Sequence, residues 1–156
     1  MTEYCSGGDV SSLLKAKGGR LKEVEAQLIM KKILQGLGEL HSSGIIHRDL
    51  KPNNIFVTFE METPRSIEDI LSYSRKRFLA SVDLLTANFQ IKIGDLGFSK
   101  YVPDIHQMNS SMCGTPLYMS PQLIQERTYS IMSDMWAVGV IFLEILTGYP
   151  PFDARS

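Results

Sequence analysis

Apolar residues recur along this chain in two periods, and the periods mark its elements. From Leu21 to Ser42 they fall at Leu21, Val24, Leu28, Ile33, Leu37 and Leu40. Steps of three to five predict a long helix, with Lys31 and Lys32 facing outward. Glu23 and Glu25 complement the dipole of its first turn. Gly36 and Gly38 weaken the helix without ending it, and Gly44 closes it. Asp9 is placed to cap a shorter helix over Val10–Lys17, which Gly18-Gly19 terminates. Phe89 to Ile93 alternates apolar with polar, as a half-buried strand does. Ile45-Ile46 and Ile55-Phe56-Val57 bracket a polar loop. Ser133 to Leu146 is apolar on nearly all sides and reads as a core helix. Thr147-Gly148 ends it, and Tyr149-Pro150-Pro151-Phe152 forbids continuation.

Composition changes little in that picture. The chain has 156 residues, 44% apolar and 21% charged, enough for one ordinary domain with a real core. A net charge of −1 supplies no electrostatic reason to expect nucleic acid or an anionic membrane as partner. Cys5 and Cys113 lie far apart, in no metal-ligand spacing, and read as reduced thiols of an intracellular protein. The first eight residues have neither the basic region nor the apolar stretch of a targeting peptide. The most apolar run, Met135 to Leu146, is too short to span a bilayer and contains Glu144. The expected setting is the cytoplasm.

The candidate chemistry sits in the bracketed loop, His47-Arg48-Asp49-Leu50-Lys51-Pro52-Asn53-Asn54. It carries a carboxylate, an ammonium and a carboxamide on a turn stiffened by Pro52, with apolar anchors at both ends. Such a loop presents polar tips with little conformational freedom. It matches the pattern H-R-D-L-x-x-x-N at every fixed position. Downstream stand Asp95-Leu96-Gly97, Gly114-Thr115-Pro116-Leu117-Tyr118-Met119-Ser120-Pro121, and Ser133-Asp134-Met135-Trp136-Ala137-Val138-Gly139. In that order the four motifs resemble the catalytic loop, the D-F-G motif, the end of the activation loop and the D-x-W-x-x-G helix of eukaryotic protein kinases. Asp-Leu-Lys-Pro and Gly-Thr-Pro favour serine and threonine over tyrosine as acceptor. Within the family, Glu3 to Asp9, Gly44 to His47 and Cys113 to Met119 look most like the autophagy-initiating Unc-like kinases. Calcium/calmodulin-type and polo-like kinases share much of this.

The resemblance implies a mainly α fold with a few short β-strands: the large, C-terminal lobe of a kinase, incomplete at both ends. It implies ATP and Mg2+ as cofactors and proteins as substrates. Asp49 would orient the substrate hydroxyl and accept its proton, and Lys51 would offset charge on the transferred phosphate. Asn54 and Asp95 would hold magnesium through hard oxygens. Thr115 would hydrogen-bond Asp49 and Lys51 and set the substrate platform, and Phe56 would floor the adenine site. The carbonyl of Glu3 and both backbone groups of Cys5 would meet the adenine edge. Asp9 would lie near the ribose hydroxyls, though helix capping alone explains an Asp there. Asp134 would hold the backbone around His47 and Arg48. Ser111 stands where the family places its activating phosphate, with Ser110 as neighbouring alternative, and Arg48 could grip that phosphate.

Departures from the family pattern matter too. Leu96 replaces the Phe of D-F-G, keeping an apolar plug without the ring. Ser120 replaces an alanine mildly, and Gln122 replaces a glutamate, so that an ion pair at the loop's base is lost. An inserted segment at 58–88, partly helical, stands where about 2–5 residues suffice for a tight hairpin. Ser66-Ile67-Glu68-Asp69 gives it a start like a capping box. Ile67, Ile70, Leu71, Phe78, Val82 and Leu85 follow at roughly helical spacing, around Arg75-Lys76-Arg77. An amphipathic helix on the domain's flank is the first reading, a partner-docking element the second, and an error in the gene model the third. The sequence has no G-x-G-x-x-G-x-V loop, no V-A-I-K lysine and no partner glutamate, so residues 1–156 correspond to a partial kinase domain, from the hinge onward. A small lobe is expected upstream, Met1 being internal, and the 156 residues alone should have little or no activity. The alternative function is a catalytically inactive, truncated lobe that serves as a protein-binding module.

Overall fold

The computed structural model describes residues 3–60, 75–103, 109–110 and 113–153. Two long helices carry the core. The longer, α2 (Glu23–Ser42), starts where the Glu25 carboxylate accepts a hydrogen bond from the Lys22 N–H at 3.1 Å, and stops at Gly44, with φ of 73°. Its inward stripe is Ala26, Ile29, Met30, Ile33 and Leu37. Val24, in the first turn, is turned outward, so the buried stripe is phased on Ile29 and Met30. The second, α5 (Ile131–Thr147), is capped by the Ser130 hydroxyl and ends at Gly148, with φ of 94°. The short helix α1 (Val10–Ala16) packs Val10, Leu13 and Leu14 into the same core. Each fully buried Leu or Ile contributes roughly 1.5–3 kcal/mol against about 1 kcal/mol net for a hydrogen bond, so side-chain packing dominates here.

Against α2 lies a three-stranded antiparallel sheet in the order β1 (Gly8–Asp9), β3 (Ile55–Phe59), β4 (Phe89–Ile93). Pairing runs from Ile55 opposite Ile93 to Phe59 opposite Phe89. The period-2 pattern predicted β4, and it buries Phe89 completely. A two-residue β2 (Ile45–Ile46) pairs with β5 (Lys100–Tyr101), and β6 (Asn109–Ser110) pairs with β7 (Thr128–Tyr129). A short helix α4 (Pro121–Glu126), capped by Ser120, precedes β7. Gln122 is exposed on it.

The connection at 58–88 begins later than the hydrophobic pattern placed it, because Thr58 and Phe59 pair within β3. Its predicted capping-box start, Ser66–Asp69, lies outside the described residues. The described part contains α3 (Arg75–Ser81), packed against α1. Leu79 and Leu84 are fully buried, and the Phe78 ring meets Phe59 edge-on at 5.1 Å. Leu85 is exposed, against its predicted place in the apolar stripe, because the helix ends at Ser81 and a turn follows.

Helix α5 also departs from expectation. Its stripe Ala137, Val138, Ile141 and Ile145 enters the core, whereas Met132, Met135, Trp136 and Leu143 are exposed among the described residues. A helix apolar all round carries no phase, so the sequence cannot say which face packs.

One carboxylate lies wholly inside. Asp134, in the first turn of α5, is 0% exposed. Its carboxylate accepts hydrogen bonds from the backbone N–H groups of His47 (2.9 Å) and Arg48 (3.0 Å), and from His41 Nε2 (2.9 Å) and the Tyr129 hydroxyl (3.4 Å). Burying a carboxylate is tolerable when such donors replace water. Replacing it by alanine would leave two backbone donors unpaired, at about 1–3 kcal/mol each. Asp134→Ala should therefore lower the unfolding free energy by roughly 3 kcal/mol or more in urea titration; a loss under about 1 kcal/mol would show that the loop is held by something else.

Candidate active site

The loop that follows β2 leaves ordinary backbone geometry at once. Arg48 has a φ of 70°, and Asp95 a φ of 58°. Left-handed conformations of non-glycine residues cost of order 1–3 kcal/mol and persist only where surroundings impose them. At Arg48 the imposition is visible: its N–H is held by Asp134 and its Nε donates to the Phe98 carbonyl. His47 is completely buried. Its Nδ1 accepts from the Asp49 N–H at 3.3 Å, which assigns the ring proton to Nε2, and Nε2 donates to the Gly94 carbonyl at 2.9 Å. One imidazole thus joins this loop to the end of β4.

Asp49 is 4% exposed and lies at the centre of a closed set of bonds. Its Oδ2 accepts from Lys51 Nζ (2.7 Å) and Asn54 Nδ2 (3.1 Å), and its Oδ1 from the Thr115 hydroxyl (2.7 Å). Lys51 Nζ also donates to Thr115 Oγ1 at 2.9 Å. Asn54 Nδ2 reaches the Asp49 carbonyl at 2.8 Å, so both its donors are turned inward. Burial opposes ionisation of Asp49, but the bonds from Lys51, Thr115 and Asn54 together hold its carboxyl below the ordinary 3.8. Stability that depends on this carboxylate is present above the ordinary value and is lost as pH falls through the lowered one.

Thr115 reaches Asp49 because Gly114 lets the chain approach. Gly114 has a φ of 109°, and a Cβ there would stand 2.5 Å from the Arg48 carbonyl oxygen. Beyond Thr115, the Tyr118 hydroxyl donates to Glu144 of α5 at 2.7 Å. Burial pushes the Tyr118 hydroxyl up, and the carboxylate adds to that; burial likewise raises Glu144, with the tyrosine bond opposing.

Asn54 immediately precedes β3 and Asp95 follows β4, at the same end of this antiparallel pair. Ile55 faces Ile93, and the Gly94 N–H donates to the Asn54 carbonyl at 2.9 Å. Asp95 follows directly, exposed, and its carboxylate has no hydrogen bond or ion pair among the described residues. Asn54 Oδ1 likewise accepts nothing there. Two unengaged hard oxygens at one end of one sheet fit a magnesium ion that takes its remaining ligands from phosphate and water. No group of three or more His, Cys, Asp or Glu among the described residues could hold a metal by itself.

The remaining expected residues lie around this centre. Phe56, opposite Asp9 and Lys92, sets its ring against Gly94, where a Cβ would be 2.7 Å away. Asp9 caps α1 through the Ser12 N–H at 2.6 Å, the bland reading of that residue. Cys5 turns its carbonyl to the Gly8 N–H at 3.1 Å, and its own N–H has no partner among the described residues. The Glu3 side chain pairs with Lys92 of β4. Leu96 is 45% exposed, so here it does not plug a core as expected. Ser111 lies outside the described residues. Sequence spacing gave no signal for His41 or Tyr129 beside Asp134, and His47 was legible as a motif position but not as a bridge.

The comparisons follow the same outline. The sequence model of the protein kinase domain matches residues 1–156. The chain belongs to the protein kinase family. It is 35% identical over 157 residues to the serine/threonine-protein kinase ULK1 of Homo sapiens, covering 99% of this chain and 13% of that protein. It is 32% identical over 154 residues to the serine/threonine-protein kinase atg1 of Dictyostelium discoideum, covering 99% and 19%. It is 33% identical over 152 residues to the inactive serine/threonine-protein kinase PLK5 of Mus musculus, covering 97% and 21%. This kinase chain is thus of the eukaryotic serine/threonine type and resembles the Unc-like kinases, and it spans about a fifth or less of the length of the curated relatives it matches. No helix among its described residues is long and apolar enough to cross a membrane.

Two glycines give a controlled comparison. Gly114→Ala should destabilise the kinase chain by at least about 1–3 kcal/mol, through both the backbone conformation and the contact with Arg48. Gly139→Ala, inside α5 with nothing within 4 Å of the new Cβ, should be neutral or stabilise by up to about 1 kcal/mol. Thermal unfolding of the pair checks this, and equal shifts would contradict it.

Proposed function

We propose that this chain is the helical large lobe of a protein serine/threonine kinase that transfers the ATP γ-phosphate to protein hydroxyls. The partial domain spans 1–156, with an inserted segment that begins after Phe59 and ends before Phe89. The observation that carries the reading is the bond set uniting Asp49, Lys51, Asn54 and Thr115. Phosphoryl transfer asks for positioning and charge neutralisation more than covalent chemistry, and this cluster supplies both.

In this reading Asp49 aligns the acceptor hydroxyl and takes its proton. A carboxyl held below its ordinary range is ionised throughout the neutral region, so it is always available to accept. Lys51, bonded to Asp49 and Thr115, is pre-placed to offset negative charge on the phosphoryl oxygens. Asn54 and Asp95 would hold Mg2+, which supplies charge stabilisation at the phosphates. Phe56 floors the adenine site, the Glu3 and Cys5 backbone edges it, and Asp9 lies toward the ribose while capping α1. Ser111, once phosphorylated, would be gripped by Arg48. The resemblance to ULK1 and atg1 supports a place among autophagy-initiating kinases, acting in the cytoplasm on protein substrates.

The glycine-rich loop and V-A-I-K lysine are not in these 156 residues, so the activity is proposed for the full-length protein. A second reading, a non-catalytic binding module, is favoured by the likeness to a relative named inactive. Four intact polar groups in one bonded cluster favour the enzyme, since binding alone needs none of them. The decisive assay is phosphate transfer to a generic protein substrate by the full-length protein. Asp49→Asn should reduce kcat by about 10²-fold or more while ATP binding persists. Asp95→Ala should in addition weaken Mg2+-dependent nucleotide binding. Wild-type protein that binds partners but neither ATP nor Mg2+ would establish the module.

A further inference from the structure

The connection between β3 and β4 returns a cation to the first residues of the chain. Arg75, the first residue of α3, donates from Nη2 to the Tyr4 hydroxyl at 2.8 Å, and its guanidinium carbon lies 5.7 Å from the Tyr4 ring centroid. On the way the side chain passes Gly8: a Cβ there would meet Arg75 Nη1 at 3.4 Å. One guanidinium therefore bonds Tyr4 and lies beside Gly8, the two ends of the segment Tyr4–Gly8.

That segment is also tied to the sheet. The Gly7 N–H donates to the Val57 carbonyl at 2.9 Å, Ser6 Oγ bonds both backbone groups of Phe59 at 3.0 and 3.3 Å, and Glu3 pairs with Lys92. These bonds hold Glu3 and Ser6–Gly8. Tyr4, between the two residues whose backbone would meet adenine, is 70% exposed and has Arg75 as its side-chain partner. Helix α3 is itself anchored: Leu79 is fully buried, Phe78 abuts Phe59, and Lys17 Nζ donates to the Val82 carbonyl. Arg75 thus works from a fixed base, and the planar fork matches a hydroxyl and a ring together as a lysine could not.

We propose that helix α3 of the inserted segment braces the adenine-facing stretch Tyr4–Gly8, with Arg75 as a positioning residue that acts through Tyr4 on nucleotide affinity. This rests on the kinase reading above, and it gives the insert a task that neither a flank helix nor a partner-docking element would have. An ordered edge loses less conformational freedom when the nucleotide arrives, so the effect belongs in binding rather than in the chemical step.

The test uses the full-length protein and four variants: Arg75→Ala, Arg75→Lys, Tyr4→Phe and the double Arg75→Ala with Tyr4→Phe. Arg75→Ala should raise the Kd for a fluorescent ATP analogue and the KM for ATP about three- to tenfold, with kcat within about twofold. Hydrogen exchange at the amides of residues 4–8, measured without nucleotide, should quicken in Arg75→Ala. Arg75→Lys should recover less than half of the loss. The double variant should fall short of the product of the single effects, because the two side chains act on one contact. If Kd, KM and exchange are unchanged in Arg75→Ala while Asp49→Asn still abolishes transfer, the brace is wrong and the kinase reading stands. If exchange quickens but the wild-type protein binds no nucleotide, the contact exists and both the kinase reading and the role given to Arg75 fail. A change in kcat alone would equally overturn the proposal.

Discussion

A carboxylate with no exposure to water holds the site in place. Asp134 enters the first turn of α5, and its two oxygens take up the backbone N–H groups of consecutive residues in the loop after β2. The core could form without this bond, since its packing of α1, α2, α5 and the sheet is apolar throughout. The loop could not keep its shape. Arg48 adopts a left-handed backbone that a non-glycine residue avoids, and a fixed acceptor on a rigid helix is what holds it there.

From that strained residue the geometry propagates in three directions. Asp49 is turned toward Lys51, Asn54 and Thr115. The Arg48 carbonyl is brought under Gly114, where only a residue without a side chain fits. Arg48 Nε and His47 Nε2 reach the carbonyls of Phe98 and Gly94, either side of Asp95. Among the described residues, Lys51, Asn54, Thr115 and the backbone on either side of Asp95 are therefore all bonded to His47, Arg48 or Asp49. The segment Glu3–Gly8 is held separately, by bonds to the sheet and by Arg75.

Much of this was legible because the residues concerned are read by motif or by period. The loop His47–Asn54, the Asp95-Leu96-Gly97 turn and Asp134 stand at fixed places in a pattern, and α2, α5 and β4 follow from apolar spacing. What was not legible has physical reasons. The outward face of α5 could not be told from the buried one, since Met132, Trp136 and Ile141 are all apolar. Helix α3 ends too early for Leu85 to join the stripe, a matter of where a turn falls. His41 and Tyr129 meet Asp134 across 93 and 5 residues of chain, and nothing in their spacing announces a shared acceptor. Arg75 stood in the sequence as part of the run Arg75-Lys76-Arg77 between apolar positions, and only the fold sets it over Tyr4, 71 residues earlier.

The most direct measurement is a crystal structure of the full-length protein with a non-hydrolysable ATP analogue and Mn2+, located by its anomalous scattering. Asn54 Oδ1 and an Asp95 oxygen should both ligate one ion at about 2.1–2.3 Å, beneath the phosphates. Ions bound separately, or an Asp95 carboxylate turned away from Asn54 with nucleotide in place, would contradict the account.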